Sequence, residues 1–416
     1  MKKSLLAVAA MTAFAGAAQA QSSVTVYGIL DVGFVGSHYN GTSVTANTNN
    51  VGTGTVGGLA VKGSSAGFGQ SAESTSRLGF KGKEDLGGGL NAIFTVETAL
   101  NPNGGQSTSA FQFNRQAFAG LSKNGLGFAA IGTQYTPIFD VMATTDAASM
   151  NNLVGNAVYS GALQSTTGTY NTGLAPYTNA STTAATSLNE ASSAYVTRAS
   201  NALKVQSERM AGFQAQAFYA QANQSQSGTV SSGANNNTVF GVNADYVWNK
   251  LNVVAAYQTF RAQNGTAAQT TTYALANGTA GSLGTNASDS QTYAAATYDF
   301  GIVKTYAQYI TRKAFATADN NYGTSRTAYQ LGAKSFITPT ISVYATYGLG
   351  KSSYAQAGSA YANFRTAQLG SDYYLSKRTN LYVAYGSFNQ SSNGATAGGV
   401  SGVSGMNYAT GIRHTF

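Results

Sequence analysis

The most constraining feature of this chain is a period of two. Val24, Val26, Leu30, Val32 and Phe34 share one parity near the start. The last segment puts Met406, Tyr408, Ile412 and Phe416 on one face and Asn407, Gly411, Arg413 and Thr415 on the other. Between them, Leu251, Val253, Ala255 and Tyr257 stand opposite Asn252 and Gln258, and Ile341, Val343, Ala345 and Tyr347 opposite Ser342 and Thr346. Successive side chains of a strand point to opposite faces, so each segment is a strand with one apolar and one polar face. Each runs for roughly ten residues, the length a tilted strand needs to cross a bilayer.

The connections alternate in length. Short links fall at 85–88, 122–125, 249–250, 299–301, 338–339 and 376–378, with a seventh near 207–211. Longer stretches rich in Gly, Ser, Asn, Thr and Ala lie between them, at about 35–73, 100–110, 135–196, 223–236, 262–289, 314–325, 350–361 and 389–404. This scheme yields sixteen strands, an even number that leaves both termini on one side. A soluble β-sandwich would use strands of about five or six residues and would not alternate eight long links with seven short ones. Arg, Lys, Gln and Asn occur at mid-strand on the polar face, and the one Trp, Trp248, lies beside a short turn. Hydrocarbon cannot satisfy backbone amides, so strands span a membrane only in a closed sheet. At sixteen strands the bore is too wide for side chains to fill. The expected fold is therefore all-β, a sixteen-stranded antiparallel transmembrane β-barrel around an aqueous channel.

Composition removes the rivals. No stretch approaches the ~20 apolar residues of a spanning helix, and 46 Tyr plus Phe are too many for a disordered chain. With no Cys and only His38 and His414, thiolate or His-cluster metal sites and a Ser/His/Asp triad lack their parts, so neither an enzyme nor a cofactor is expected. The formal charge of +9 is dispersed, not gathered in a patch or along a helix as in nucleic-acid binding. Lys2 and Lys3, an apolar run from Leu5 to Ala18 and Ala18-Gln19-Ala20 read as a signal peptide over 1–20, leaving one domain at 21–416. That domain keeps 21 Lys and Arg against 14 Asp and Glu, a net +7.

Three stretches carry a family likeness: Ser22-Ser23-Val24-Thr25-Val26-Tyr27-Gly28 with Asp31, Ser76-Arg77-Leu78-Gly79-Phe80-Lys81-Gly82-Lys83-Glu84-Asp85-Leu86-Gly87-Gly88-Gly89-Leu90-Asn91-Ala92-Ile93-Phe94, and Phe113-Asn114-Arg115-Gln116-Ala117-Phe118-Ala119-Gly120-Leu121. With Arg198-Ala199-Ser200-Asn201 and the terminal Phe416, the mature chain resembles the trimeric general porins of Gram-negative outer membranes. One departure is Gly132-Thr133-Gln134, where the family often has Gly-Arg-Gln. The resemblance implies a homotrimer in outer-membrane lipid, passive passage of small hydrophilic solutes, and a third long loop, here 135–196, folded into the lumen. It also implies that Phe416 is the signal to the outer-membrane assembly machinery.

A passive pore selects by the charge at its narrowest ring, basic rings favouring anions. Parity puts Arg77, Lys81 and Lys83 opposite Leu78 and Phe80, and Arg198, Ser200, Lys204 and Gln206 opposite Leu203 and Val205. Alternation leaves the face of Arg115 open. The resemblance maps Arg77, Arg115 and Arg198 to a basic wall facing the inserted loop, whose acids are Asp140, Asp146 and Glu190. Weak anion preference is the expectation. A substrate-selective channel is the alternative, since aromatic ladders guide sugars and Tyr numbers 26, although most Tyr sit near strand ends or on the apolar parity.

Overall fold

A computed structural model describes residues 23–43, 59–102, 115–159, 195–226, 233–264, 287–316, 323–354, 361–391 and 403–416. The segment read as a leader, 1–20, and Glu190 lie outside the described residues. The elements are β1 (Ser23–Ser43), β2 (Leu59–Gln70), β3 (Arg77–Gly87), β4 (Leu90–Ala99), β5 (Gln116–Lys123), β6 (Gly127–Tyr135), helix α1 (Pro137–Thr145), β7 (Arg198–Ser207), β8 (Phe213–Gln226) and β9 (Gly233–Trp248). They continue with β10 (Leu251–Asn264), β11 (Ala287–Asp299), β12 (Lys304–Ala316), β13 (Gly323–Thr338), β14 (Ile341–Tyr354), β15 (Tyr361–Tyr374), β16 (Thr379–Gln390) and β17 (Val403–Thr415).

Every strand pairs antiparallel with its neighbour, and β17 pairs back onto β1 from Ile29↔Thr415 to Gly41↔Val403, closing the sheet. The seventeen segments make sixteen staves, because β2 and β3 are two halves of one. Val32 to Ser43 pair with β2, and Ser23 to Ile29 with β3. Residues 71–76 interrupt that stave, and Asp31, fully buried, holds them: its carboxylate accepts the amides of Glu73 at 2.8 Å and Ser74 at 2.6 Å and the hydroxyl of Tyr382 at 2.7 Å. Closure satisfies the backbone without an edge, the condition for a sheet in hydrocarbon.

The two faces divide as the alternation requires. Val26, Phe240, Val253, Leu331, Leu369 and Val383 are exposed, while polar residues of the opposite parity, among them Asn243, Gln258, Gln330, Gln368 and Asn407, are buried. This apolar-out, polar-in order is that of a membrane barrel. Tyr246, Trp248, Tyr298, Phe300, Phe336 and Tyr373 lie exposed around the rim of short turns, where amphipathic rings suit a membrane interface.

All seven short links are tight connections. The long stretches are shorter than the alternation suggests: β1 runs on to Ser43 and β2 begins at Leu59, inside the segment expected as loop 35–73. Above the apolar band a strand keeps its hydrogen-bonded ladder but needs no greasy face, so the period of two fades before the strand ends.

Candidate channel wall and the segment packed on it

Register brings Arg77 and Arg198, read from parity, together with Arg115, which parity left open. Tyr27, Gly79, Glu97 and Gln116 form one cross-strand row over β1, β3, β4 and β5. Gly79 has no side chain, and the Tyr27 ring lies in the space a Cβ would fill. Its hydroxyl thereby reaches Glu97 and donates to Oε2 at 3.0 Å. Arg115 precedes β5, and its amide bonds the Glu97 carbonyl at 3.1 Å. Its guanidinium donates from Nε to Glu97 Oε1 at 2.5 Å and from Nη2 to the Tyr135 hydroxyl at 2.8 Å. Alternation could not place Arg115 because it stands just outside the strand.

Arg198 meets the same group from the other side. Tyr135 and Arg198 are register partners, and the guanidinium lies 4.9 Å over the Tyr135 ring, a cation–π contact. Between Gly132 and Gln134 the register shifts, with Ser200 and Asn201 opposite the single Thr133; Asn201 takes φ 53° there. Such a bulge re-aims the strand beyond it. Arg77 donates from Nε to the Thr75 carbonyl at 2.9 Å and feels the charges of Arg115, Arg198 and Glu97. Lys81 stands 5.4 Å over the Tyr27 ring. Arg115 and Arg77 thus act on one carboxylate, Glu97, which is 3% exposed, while Lys81 and Arg198 lie over the rings of Tyr27 and Tyr135, the two tyrosines whose hydroxyls meet it.

Residues 136–159 form a second unit, seated on the polar face. Pro137 opens α1, where its missing N–H costs nothing. Asp140 in the first turn suits the positive helix end. Ile138, Val141, Met142 and Thr145, spaced on one helical face, pack on Val254, Ala256, Tyr293, Ala295 and Ile310. Amide side chains of the wall clamp the backbone. Gln258 accepts the amide of Ile138 at 3.2 Å, Gln330 that of Ala157 at 2.7 Å and Asn407 that of Val154 at 3.1 Å, while Gln368 donates to Leu153 and Val154 carbonyls at 3.0 Å. Glycines clear the lane: a Cβ on Gly386 would overlap the Val154 carbonyl, and one on Gly348 would overlap Ala157.

The acids of this segment have their own partners. Asp140 pairs with Lys204 Nζ at 2.6 Å. Asp146 accepts the amide of Met150 at 2.7 Å, the side chain of Asn156 at 3.0 Å and that of Gln330 at 3.2 Å. Burial lifts its carboxyl from 3.8 to about 6 against the pull of those donors. A second basic pair, Arg312 and Arg326, lies face to face across β12 and β13. Asp289 takes Arg312 at 2.7 Å, and Arg326 donates to the Ala157 carbonyl at 2.7 Å.

Sequence reasoning missed Glu97, although its parity in β4 with Asn91 and Thr95 was available as a signal. It also missed the tyrosines on the polar face, Tyr293, Tyr344 and Tyr382, which are buried supports. Thr145 shares a hydrogen bond with Tyr293 at 2.6 Å, and Asn151 donates to Tyr344 at 2.8 Å. Phe416 closes the last pair, exchanging backbone hydrogen bonds with Gly28 at 3.1 and 3.2 Å.

A closed sixteen-stave barrel with a greasy exterior and a charged, tyrosine-lined wall defines an outer-membrane β-barrel of the porin type. The model of the Gram-negative porin family matches residues 7–393, and the chain belongs to that family. An outer membrane porin protein of Bordetella pertussis is 38% identical over 135 residues, 32% of this chain and 34% of that protein. Outer membrane porin protein 32 of Delftia acidovorans is 38% identical over 148 residues, 35% of each. The matched stretches span about a third of these relatives' length. Among solved structures, an anion-selective porin from Comamonas acidovorans superimposes with a TM-score of 0.65 at 23% identity, covering 95% of this chain and all of that one. OmpT of Vibrio cholerae gives 0.56 at 14% identity, covering 95% and 98%. The outer membrane is the location of the chain.

Proposed function

We propose that this porin is a general diffusion channel through which small hydrophilic solutes and ions pass passively, with weak preference for anions. The observation that carries the reading is the cluster itself: Arg115 and Arg77 at the carboxylate of Glu97, with Lys81 and Arg198 over the rings of Tyr27 and Tyr135 beside it. Charges clustered in a passage with low-dielectric walls focus the field, and the net sign here is positive. Residues 135–196 act as the constriction loop inside the lumen, an assignment supported by the clamping of 136–159 on the polar face. The Asp140–Lys204 pair cancels and leaves the Arg cluster to set selectivity, while Asp146 and, if it faces the passage, Glu190 weaken it. The anion selectivity of the Comamonas porin, whose fold this chain shares, points the same way. Residues 21–416 serve as one barrel domain after loss of 1–20, assemble as a homotrimer, and present Phe416 to the assembly machinery.

Reversal potential across a planar bilayer in a salt gradient tests this. The triple variant R77Q/R115Q/R198Q should lower the anion-to-cation permeability ratio, and an unchanged potential would overturn the assignment. Saturable block of conductance by one sugar would instead favour a substrate-selective channel.

A further inference from the structure

One stave carries a surplus of chain. Val32 pairs with Gln70 and Ile29 with Arg77, so β1 offers two residues, Leu30 and Asp31, where its partner has six, 71–76. The surplus folds onto the polar face: Ala72 joins one apolar cluster with Leu153, Tyr382, Ala384 and Ala409. Serine suits such a stretch, since its short hydroxyl side chain bonds nearby backbone and holds chain outside a ladder. Ser71 takes φ 60°, a conformation that persists only where the surroundings over-determine it.

Here they do so from two sides. From β1, the Asp31 carboxylate takes the amides of Glu73 and Ser74, its carbonyl accepts the Ser71 amide at 2.9 Å, and its own amide donates to Ser76 Oγ at 3.0 Å. From the segment packed on the wall, Asn152 donates its backbone amide to the Ala72 carbonyl at 2.9 Å. Its side chain donates to the Ser71 carbonyl at 2.6 Å and to Thr75 Oγ1 at 3.3 Å. The Thr75 peptide group is thereby fixed in place.

The Thr75 carbonyl is the group to which Arg77 Nε donates, at 2.9 Å. The other two guanidinium groups are held differently, Arg115 by Glu97 and the Tyr135 hydroxyl, Arg198 over the Tyr135 ring. Arg77 is pushed by the like charges of Arg115 and Arg198 and pulled by Glu97. A long side chain under opposing fields keeps one direction only where a directed bond to a rigid neighbour holds it.

We propose that residues 71–76 are a positioning device for ion selectivity: Asp31 and Asn152 are positioning residues that fix the Thr75 carbonyl and through it aim Arg77 into the passage. This role rests on the Arg cluster setting anion preference. It also ties segment 136–159 to that cluster, because Asn152 belongs to the segment.

Reversal potentials of the purified channel in a salt gradient test the device. N152A changes no charge and should lower the anion-to-cation permeability ratio as R77Q does, by roughly twofold. D31N should lower it too, whereas a carboxylate acting on ions directly would raise the ratio on losing its charge. In a double-mutant cycle N152A/R77Q should match R77Q, since residues acting through one another are not additive; a merely structural defect would persist whatever stands at 77. An unchanged ratio in N152A, an unchanged or raised one in D31N, or an N152A effect retained in full without Arg77 would overturn the device. If D31N fails to fold, N152A and the cycle decide. Should R77Q itself leave the potential unmoved, the selectivity reading falls and the device with it; a shift in R77Q without one in N152A removes the device alone.

Discussion

Arg115 and Glu97 face each other at 2.5 Å, Nε to Oε1, with side chains only 6% and 4% exposed. Neither lies where the other could be foreseen: Glu97 is near the end of β4 and Arg115 stands before β5, beyond a link outside the described residues. A buried pair of this kind is held by both members, since removing one strands the other's charge at a cost of about 3–5 kcal/mol.

Glu97→Gln keeps an oxygen acceptor for Arg115 and Tyr27 while deleting the one negative charge that the described residues place in the cluster. The anion-to-cation permeability ratio should rise, read as a shift of the reversal potential toward that of the anion. A ratio that stays put would remove Glu97 from the ion path.

Asp140→Asn uncovers Lys204, its partner at 2.6 Å. The polar face then gains one net positive charge, so anion preference should increase, by less than in Glu97→Gln because the Asp140 side chain is already 27% exposed and partly screened. Reversal potentials at low and high salt check this, with the larger shift expected at low salt.

Gly386→Val would drive a side chain into the Val154 carbonyl. The segment around residues 153–155 should lift from the wall, losing its bonds to Gln368 and Asn407. Limited proteolysis should then cut within 147–159, where wild type resists, and single-channel records should become noisier. Identical cleavage of both proteins would contradict the seating.

The Asp146 carboxyl, lifted to about 6 by burial, takes up a proton in the folded chain before it does in the unfolded one. Its contribution to stability is therefore full below the ordinary 3.8 and is lost as pH rises through about 6. Asp146→Asn should flatten the thermal unfolding midpoint between pH 4 and 6 relative to wild type. Parallel curves would show that Asp146 does not titrate there.

The barrel was legible in the residues because its physics is local. A strand between lipid and water must alternate, so Val253 against Asn252, or Tyr408 against Asn407, reports the fold without any knowledge of neighbours. Turn chemistry did the same for all seven short links. The same rule placed Arg77 and Lys81 on the polar face.

Contacts between distant segments were another matter. Arg115 stands outside the alternating run, a bulge at Ser200 and Asn201 interrupts the count toward Arg198, and Glu97 gains its meaning only from register with Gly79 and Gln116. Likewise the acids at 140 and 146 could be named from sequence, but their partners, Lys204 and Gln330, lie 64 and 184 residues away. Alternation tells which face a side chain takes; only closure of the sheet decides which side chains share that face at one height.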